Sequence, residues 1–353
     1  MTDDLIRCLV LADYDEVSGG LRRAAHLRLT HPPEGVKYQV MLGKNYPVRV
    51  SHYKVDPLSI FLVGLRFLAE GSTMGNAEDA DIQHIFFWKR GRRGIPAVLE
   101  NDQSLSQFLS TYVGVENEMK ERIRKLFLPL TNLKRLRAVI VWSEWGRRGF
   151  ERDGFAKEMI KVIPPPIDIP RDTAKTQSQR ILFIGRDYER KGGDIALKTF
   201  INLAKEFEGV EMSYVGQVDD DDLLKRAKQT GRFTHYENPN NAALYGKIIP
   251  GSSIFLLPSR SEAFGISILE AMSFALPVVV SDLPSVRENV IDGYNGFLVN
   301  EERRSYEEAL RILLQDEAKR RKLGQNAREF VKNKFSPSKV GSELKRVYLD
   351  SLG

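Results

Sequence analysis

Apolar residues in this chain gather in short runs, and each run leads through a turn into a stretch with helical spacing. Residues 5–12, aliphatic and β-branched, predict a strand, followed by the turn Ser18-Gly19-Gly20 and a helix over 21–30. Further strands are expected at 38–42, 82–87, 97–99 and 138–142, with helical spacing between them, as over 113–136. Such alternation argues for parallel βαβ units and hence an α/β fold. The pattern breaks at Pro164-Pro165-Pro166 and the polar residues 171–179. Three prolines forbid helix and weaken sheet pairing, so this stretch reads as a linker. A second series follows, with strands at 180–184, 211–215, 233–236, 254–257, 277–280 and 296–299. From Ser305 onward the chain reads as helical, with Ser336-Pro337 opening the last helix as cap and first-turn proline. The expected domains are 1–170 and 171–334, with a terminal helix over 335–353. Two open parallel sheets in series bind ligands beyond the carboxyl ends of their strands, so a cleft between them can take two substrates.

A length of 353 residues suits about two domains. The single cysteine, Cys8, lies inside the first apolar run, so no disulfide framework is expected and the thiol reads as a small core group. The start, Met1-Thr2-Asp3-Asp4, is acidic where a signal peptide is basic, and the longest apolar stretch, 58–69, contains Arg66 and is too short to span a bilayer. These features predict a cytoplasmic protein, at most peripheral at the inner membrane face. A net charge of +6 favours an anionic partner. No recognised nucleic-acid-binding motif occurs, so nucleic acid is not expected. The basic run Lys89-Arg90-Gly91-Arg92-Arg93, together with Lys120, Arg122, Arg124 and Lys125 ahead of Leu126-Phe127-Leu128, suits an anionic membrane surface. It equally suits a solvated helix whose apolar side is core.

Two segments carry candidate chemistry. Residues 258–272, Pro-Ser-Arg-Ser-Glu-Ala-Phe-Gly-Ile-Ser-Ile-Leu-Glu-Ala-Met, follow an apolar strand and open a helix near Ile266. Ala263, Phe264, Gly265 and Ile266 therefore sit at a helix N-terminus on the carboxyl edge of a sheet, where free N–H groups and the helix dipole favour an anion. Glu262 and Glu270 flank this point. Carboxylates repel phosphate and so suit sugar and ribose hydroxyls; alternatively, Glu262 caps the helix and Glu270 is a solvated charge. The second segment, Gly185-Arg186-Asp187-Tyr188-Glu189-Arg190-Lys191-Gly192-Gly193, also follows a strand and opens a helix. Its Arg186 fork and Lys191 ammonium suit a diphosphate; an ordinary charged βα loop is the plain alternative. Neither a P-loop nor a dinucleotide glycine spacing occurs. Gly19 and Gly20 form a glycine turn at the first helix, a weak signal by itself.

Together these residues resemble family 4 of the retaining glycosyltransferases (glycosyl transferases group 1), which have the GT-B fold. The Gly-Arg-x4-Lys-Gly loop is matched at Gly185–Gly192 and the Glu-x7-Glu signature at Glu262 and Glu270. Pro277-Val278-Val279-Val280-Ser281, Arg287-Glu288, Asp292-Gly293 and Gly296-Phe297-Leu298-Val299 continue the likeness. It is strong over about 179–334 and thin over 1–170, where Gly19-Gly20 and Asp81-Ile82-Gln83-His84 match best. The resemblance implies two Rossmann-like domains facing a central cleft, the first for the acceptor and the second for the nucleotide sugar, with the last helix crossing back to the first. It implies that Arg186 and Lys191 bind the donor diphosphate, that Phe264, Gly265 and Ile266 offer it N–H groups, that Glu262 holds sugar hydroxyls, that Glu270 holds the ribose, and that Gly20 approaches the phosphate or sugar.

Two departures stand out. A histidine frequent in the family is replaced here by Asp102, in Glu100-Asn101-Asp102, and His84 becomes the nearest family-like histidine, with a satisfied histidine at a strand end as its other reading. The family's Asn-Gly ahead of the linker is replaced by Pro165-Pro166. The expected activity is metal-independent transfer of a hexose, with retention, from a UDP- or GDP-linked donor to a glycan or lipid-linked acceptor. No cofactor is expected. A sugar-nucleotide epimerase, a phosphorylase or a non-catalytic sugar-nucleotide binder are the rival readings. The run Asp219-Asp220-Asp221-Asp222 is expected to serve a helix start rather than a metal.

Overall fold

The computed structural model describes residues 5–12, 21–42, 80–86, 91–92, 94–113, 135–171, 178–300 and 304–353. Gly19 and Gly20 and most of the basic segments 89–93 and 120–134 lie outside the described residues. The chain divides into two compact units: Met1–Pro166 with Pro337–Gly353, and Ile167–Ser336. The division falls at the end of the triple proline.

In the first unit, strands β1 (Ile6–Ala12), β2 (Val36–Leu42), β3 (Ile82–Phe86), β4 (Ala97–Asn101), β5 (Leu136–Val141) and β6 (Ile160–Val162) form a sheet in the order β2-β1-β3-β4-β5-β6. Every pairing in it is parallel. The unbroken apolar run of β1 reflects burial on both faces, as parallel sheets require. Cys8, Val10 and Ala12 face one core cluster. Leu9 and Leu11 face the other, with Leu99, Val139 and Phe150. Burial pushes the Cys8 thiol up to about 12, so it stays protonated as a core group. Helices α1 (Leu21–Thr30), α2 (Leu105–Phe108) and α3 (Glu144–Arg152) accompany this sheet. Helical spacing did not announce the short strand β6, and β4 runs on to Asn101, past the apolar residues that predicted it. The expected helix over 113–136 lies largely outside the described residues, and its last residue, Leu136, opens β5.

The second unit repeats the plan. Strands β7 (Gln179–Ile184), β8 (Val210–Val215), β9 (Phe233–Tyr236), β10 (Ile254–Leu257), β11 (Val278–Ser281) and β12 (Gly296–Val299) stand in the order β12-β11-β10-β7-β8-β9. All its pairings are parallel as well. Its helices are α4 (Gly193–Glu206), α5 (Asp221–Gln229), α6 (Ile266–Ser273), α7 (Tyr306–Gln315) and α8 (Glu317–Phe335). Read from β9, this is the doubly wound order in which the chain reverses direction between its first and fourth strands. That switch point lies between β7 and β10, paired through Ile181 with Ile254 and Leu182 with Phe255.

The helical stretch from Ser305 is three helices: the last opens at Pro337 as expected, and a further break falls at Asp316. Asp316 caps α8 through the Lys319 N–H, and Ser336 ends it ahead of α9 (Pro337–Leu352). Helix α9 packs on the first sheet through Val340, Leu344, Val347 and Tyr348. Among the described residues no helix is long and apolar enough to cross a membrane.

Candidate active site

Both motif loops leave the carboxyl ends of the two strands at the switch point of the second sheet. The loop after β7 starts at Gly185, whose N–H donates to Val215 carbonyl at 2.9 Å, and closes on itself where Lys191 N–H donates to Asp187 carbonyl at 2.9 Å. Arg190 ties it further: its Nε donates to Asp187 Oδ2 at 2.9 Å and its Nη1 to Ser261 carbonyl at 3.2 Å, which reaches the loop after β10. A backbone bond joins the same two loops, Arg260 N–H to Arg190 carbonyl at 2.8 Å. Gly192 makes this approach feasible. Its φ is +71°, and a Cβ there would lie 2.0 Å from Pro258 carbonyl oxygen. The sequence thus places two charged loops, and strand order with one glycine brings them into contact.

Three site residues meet at this contact. Lys191 Nζ is ion-paired with Glu262 Oε1. Ser259 Oγ donates to the same oxygen at 3.1 Å. The Glu262 side chain is 6% exposed and that of Lys191 16%, so the pair is largely withdrawn from water. Burial pushes the Glu262 carboxyl up, but the neighbouring Lys191 and Arg190 charges outweigh it and hold the group below the usual carboxylate range. Burial lowers the Lys191 ammonium pKa, against the pull of Glu262. Arg186, on the same loop as Lys191, is exposed. The Glu262 carbonyl accepts from Ser285 Oγ and the Phe264 carbonyl from Asn289 Nδ2, the latter at 3.1 Å, so 262–264 is held from behind.

Gly265 stands at the N-cap of α6 with φ +80°, and the first N–H groups of the helix, around Ile266, have no side-chain cap from it. Ala263, Phe264 and Ile266 are buried around this turn. Glu262 does not cap the helix, and Glu270 is not a solvated charge: it is 8% exposed, with Tyr245 Oη donating to its Oε1 at 2.8 Å. Arg190, Ser259 and Tyr245 were missed in the sequence reading. Arg190 and Ser259 lie inside the motif segments, whereas Tyr245 follows no motif.

The acidic run behaves as expected of a helix start. Asp220 is the N-cap of α5, accepting from Leu223 N–H at 2.9 Å, with Asp221 and Asp222 in the first turn. Among the described residues no group of three His, Cys, Asp or Glu is placed to hold a metal ion.

In the first unit the candidates separate. His84 is a correction: it is 1% exposed in the middle of β3, not at its end, and is fully engaged inside the core. Its Nε2 lies 2.9 Å from Glu100 Oε2, and its Nδ1 is 2.6 Å from Tyr348 Oη of α9. Glu100 also accepts from Arg28 Nε at 3.0 Å and from Trp142 Nε1 at 2.7 Å. Burial opposes the Glu100 charge, yet Arg28 and His84 outweigh that and hold its pKa down. These contacts fit the satisfied-histidine reading of His84, within the strand rather than at its end. Asp102, 7% exposed, lies just past β4 on the carboxyl edge of the first sheet.

Residues 167–330 match the family described as glycosyl transferases group 1, so the second unit is a domain of that family. The phosphatidyl-myo-inositol mannosyltransferase of Mycolicibacterium smegmatis is 30% identical over 219 residues, 59% of this chain and 56% of the relative. The chain spans about half the length of the curated relatives it matches. Among solved structures, the sucrose-phosphate synthase of Thermosynechococcus elongatus has a TM-score of 0.69 at 17% identity, covering 98% of both chains. An Anabaena protein in complex with UDP-glucose has a TM-score of 0.65 at 16% identity, covering 97% of this chain and 98% of its own. The fold is accordingly the two-unit α/β arrangement known as GT-B.

Proposed function

We propose that this chain transfers a hexose, with retention, from a UDP- or GDP-linked donor to an acceptor hydroxyl. The observation that carries the reading is the contact, at the switch point of the second sheet, of the loop that carries Arg186 and Lys191 with the loop that leads into α6. When the sugar–phosphate bond breaks, negative charge grows on the diphosphate. Preorganised cations and N–H groups stabilise it more in the transition state than in the ground state. Arg186 and Lys191 take the diphosphate, and the backbone from Phe264 to Ile266 closes on it. Glu262 binds sugar hydroxyls while restraining the Lys191 ammonium, and Glu270 binds the ribose.

The Glu262 carboxylate is held by Lys191 and Ser259 and is assigned to the sugar hydroxyls rather than to the anomeric carbon, which favours attack from the face that the diphosphate vacates. The bond from the anomeric carbon to phosphate oxygen breaks, the bond to the acceptor oxygen forms, and the acceptor proton passes to the departing phosphate. Asp102 is assigned to the acceptor side. Two cations and a helix end supply charge comparable with a divalent ion, so transfer runs without one. Thermal shift against nucleotide-diphosphate sugars tests donor binding: a ligand at a hundred times its dissociation constant stabilises the fold by about 2.7 kcal/mol. An assay for transfer, against donor isomerisation or phosphorolysis, tests the reaction. Isomerisation or phosphorolysis without transfer would overturn the reading.

A further inference from the structure

We propose that Tyr245 is a positioning residue: it fixes the Glu270 carboxylate for the ribose diol and so sets the preference for ribonucleotides over deoxyribonucleotides. The inference rests on the reading of Glu270 given above. Glu270 is the only charged residue of α6, Ile-Ser-Ile-Leu-Glu-Ala-Met-Ser, and it is 8% exposed. A carboxylate withdrawn from water is costly unless hydrogen-bonded. Tyr245 supplies such a bond at 2.8 Å from a different part of the chain, the connection between β9 and β10.

That connection has an uncommon form. Asn240 caps a short helical stretch by accepting from Ala243 N–H at 2.8 Å, and the chain then widens into a π turn over Leu244–Ile248. Ile249 N–H donates to Leu244 carbonyl at 3.0 Å, five residues back. Such turns hold well under about 1% of residues and occur often at functional sites. Tyr245 is carried on this turn, half-buried, with its hydroxyl on Glu270.

The consequence is directional. The terminal torsion of a glutamate is broad, so an unpinned carboxylate samples many orientations. The phenol donates a single hydrogen, and a carboxylate has about four acceptor positions, so the pin is compatible with a vicinal diol on the same group. Removing the pin leaves the acceptor in place but loosens its aim. The loss should therefore fall on ligands that present the full diol and spare those that do not.

The test is titration calorimetry with three probes: the nucleoside diphosphate, uridine or guanosine, that binds the wild type more tightly; its 2′-deoxy analogue; and pyrophosphate. Wild type, Tyr245→Phe, Tyr245→His and Glu270→Gln are compared. We expect Tyr245→Phe to bind the ribonucleotide about tenfold more weakly, the lower end for a hydrogen bond to a charged group. Its affinities for the deoxy analogue and for pyrophosphate should stay at wild-type values, while its melting temperature falls slightly because a buried carboxylate loses one hydrogen bond. Tyr245→His, which keeps a ring donor, should restore part of the preference. If Tyr245→Phe retains the ribo-over-deoxy ratio while Glu270→Gln loses it, the role of Tyr245 is overturned and the ribose reading stands. If Glu270→Gln binds the ribonucleotide like the wild type, the ribose reading fails and takes this proposal with it.

Discussion

The two units each bury a carboxylate against cations, and they do so to different ends. In the first, Glu100 sits wholly inside, closed in by Arg28, His84 and Trp142, with Tyr348 beyond His84. None of these groups is more than 3% exposed. In the second, Glu262 is nearly as buried, yet its partner Lys191 stands on a loop at the carboxyl edge of a sheet, and Arg186 of the same loop is exposed. The first cluster is enclosed by protein and joins α1, β3, β4, the residue after β5 and α9 into one body. The second lies on loops at the end of a sheet, where strands of this fold class leave room for ligands. A charge cluster within a sheet is therefore read as architecture, and one where strands end is read as chemistry.

The largest expected effect tests the architectural half. Glu100→Ala leaves Arg28 buried without its anion, and removing one partner of such a pair costs about 3–5 kcal/mol, read as a fall in urea midpoint or melting temperature. The pH dependence has a definite sign. The folded-state pKa of Glu100 is lowered, so its contribution is complete above the ordinary glutamate range and is lost as pH falls through the lowered value. Wild-type stability should therefore fall with acid more steeply than that of Glu100→Gln. Equal slopes would break the comparison at its first term.

Next in size, Lys191→Ala should lower kcat/KM for transfer about 10²–10³-fold, as for loss of a preorganised donor, while the melting temperature falls less than in Glu100→Ala because Glu262 keeps Arg190 and Ser259. A variant that unfolds instead would make Lys191 a second Arg28. Smaller again, Glu270→Ala should weaken donor and free nucleoside diphosphate alike, by about 1.5–3 kcal/mol for each lost bond to a charged group. Glu262→Ala should damage transfer and leave free nucleotide binding near wild type. Calorimetry showing normal nucleotide binding in both variants would remove the ribose from Glu270. His84→Gln is expected to cost about 1–3 kcal/mol of stability by unsatisfying its neighbours, and to leave kcat/KM of the folded enzyme unchanged. The smallest expected effect is none: initial rates in excess EDTA should match those with added Mg²⁺ or Mn²⁺, for wild type and Asp221→Asn. Chelation that abolishes transfer, with recovery on adding metal, would return the acidic run to consideration as a ligand.

The sequence by itself determined much of this protein. Short apolar runs buried on both faces of parallel sheets, glycines and charges at the ends of those runs, and the proline break are local properties, legible because strand and helix periodicities are local. From them follow the two α/β series and the loops 185–193 and 258–266. Tertiary structure alone decided the rest. Strand order put β7 next to β10 and so set Lys191 on Glu262, residues whose separation in sequence says nothing of contact. The position of β3 inside its sheet, with α9 packed above it, turned His84 from a candidate ligand into a core residue. A π turn outside the expected elements brought Tyr245 to Glu270. Each depends on which distant segment lies alongside, and a side chain's chemistry is set by its neighbours: the same imidazole or carboxylate is inert when enclosed and available for reaction when one side faces the sheet edge.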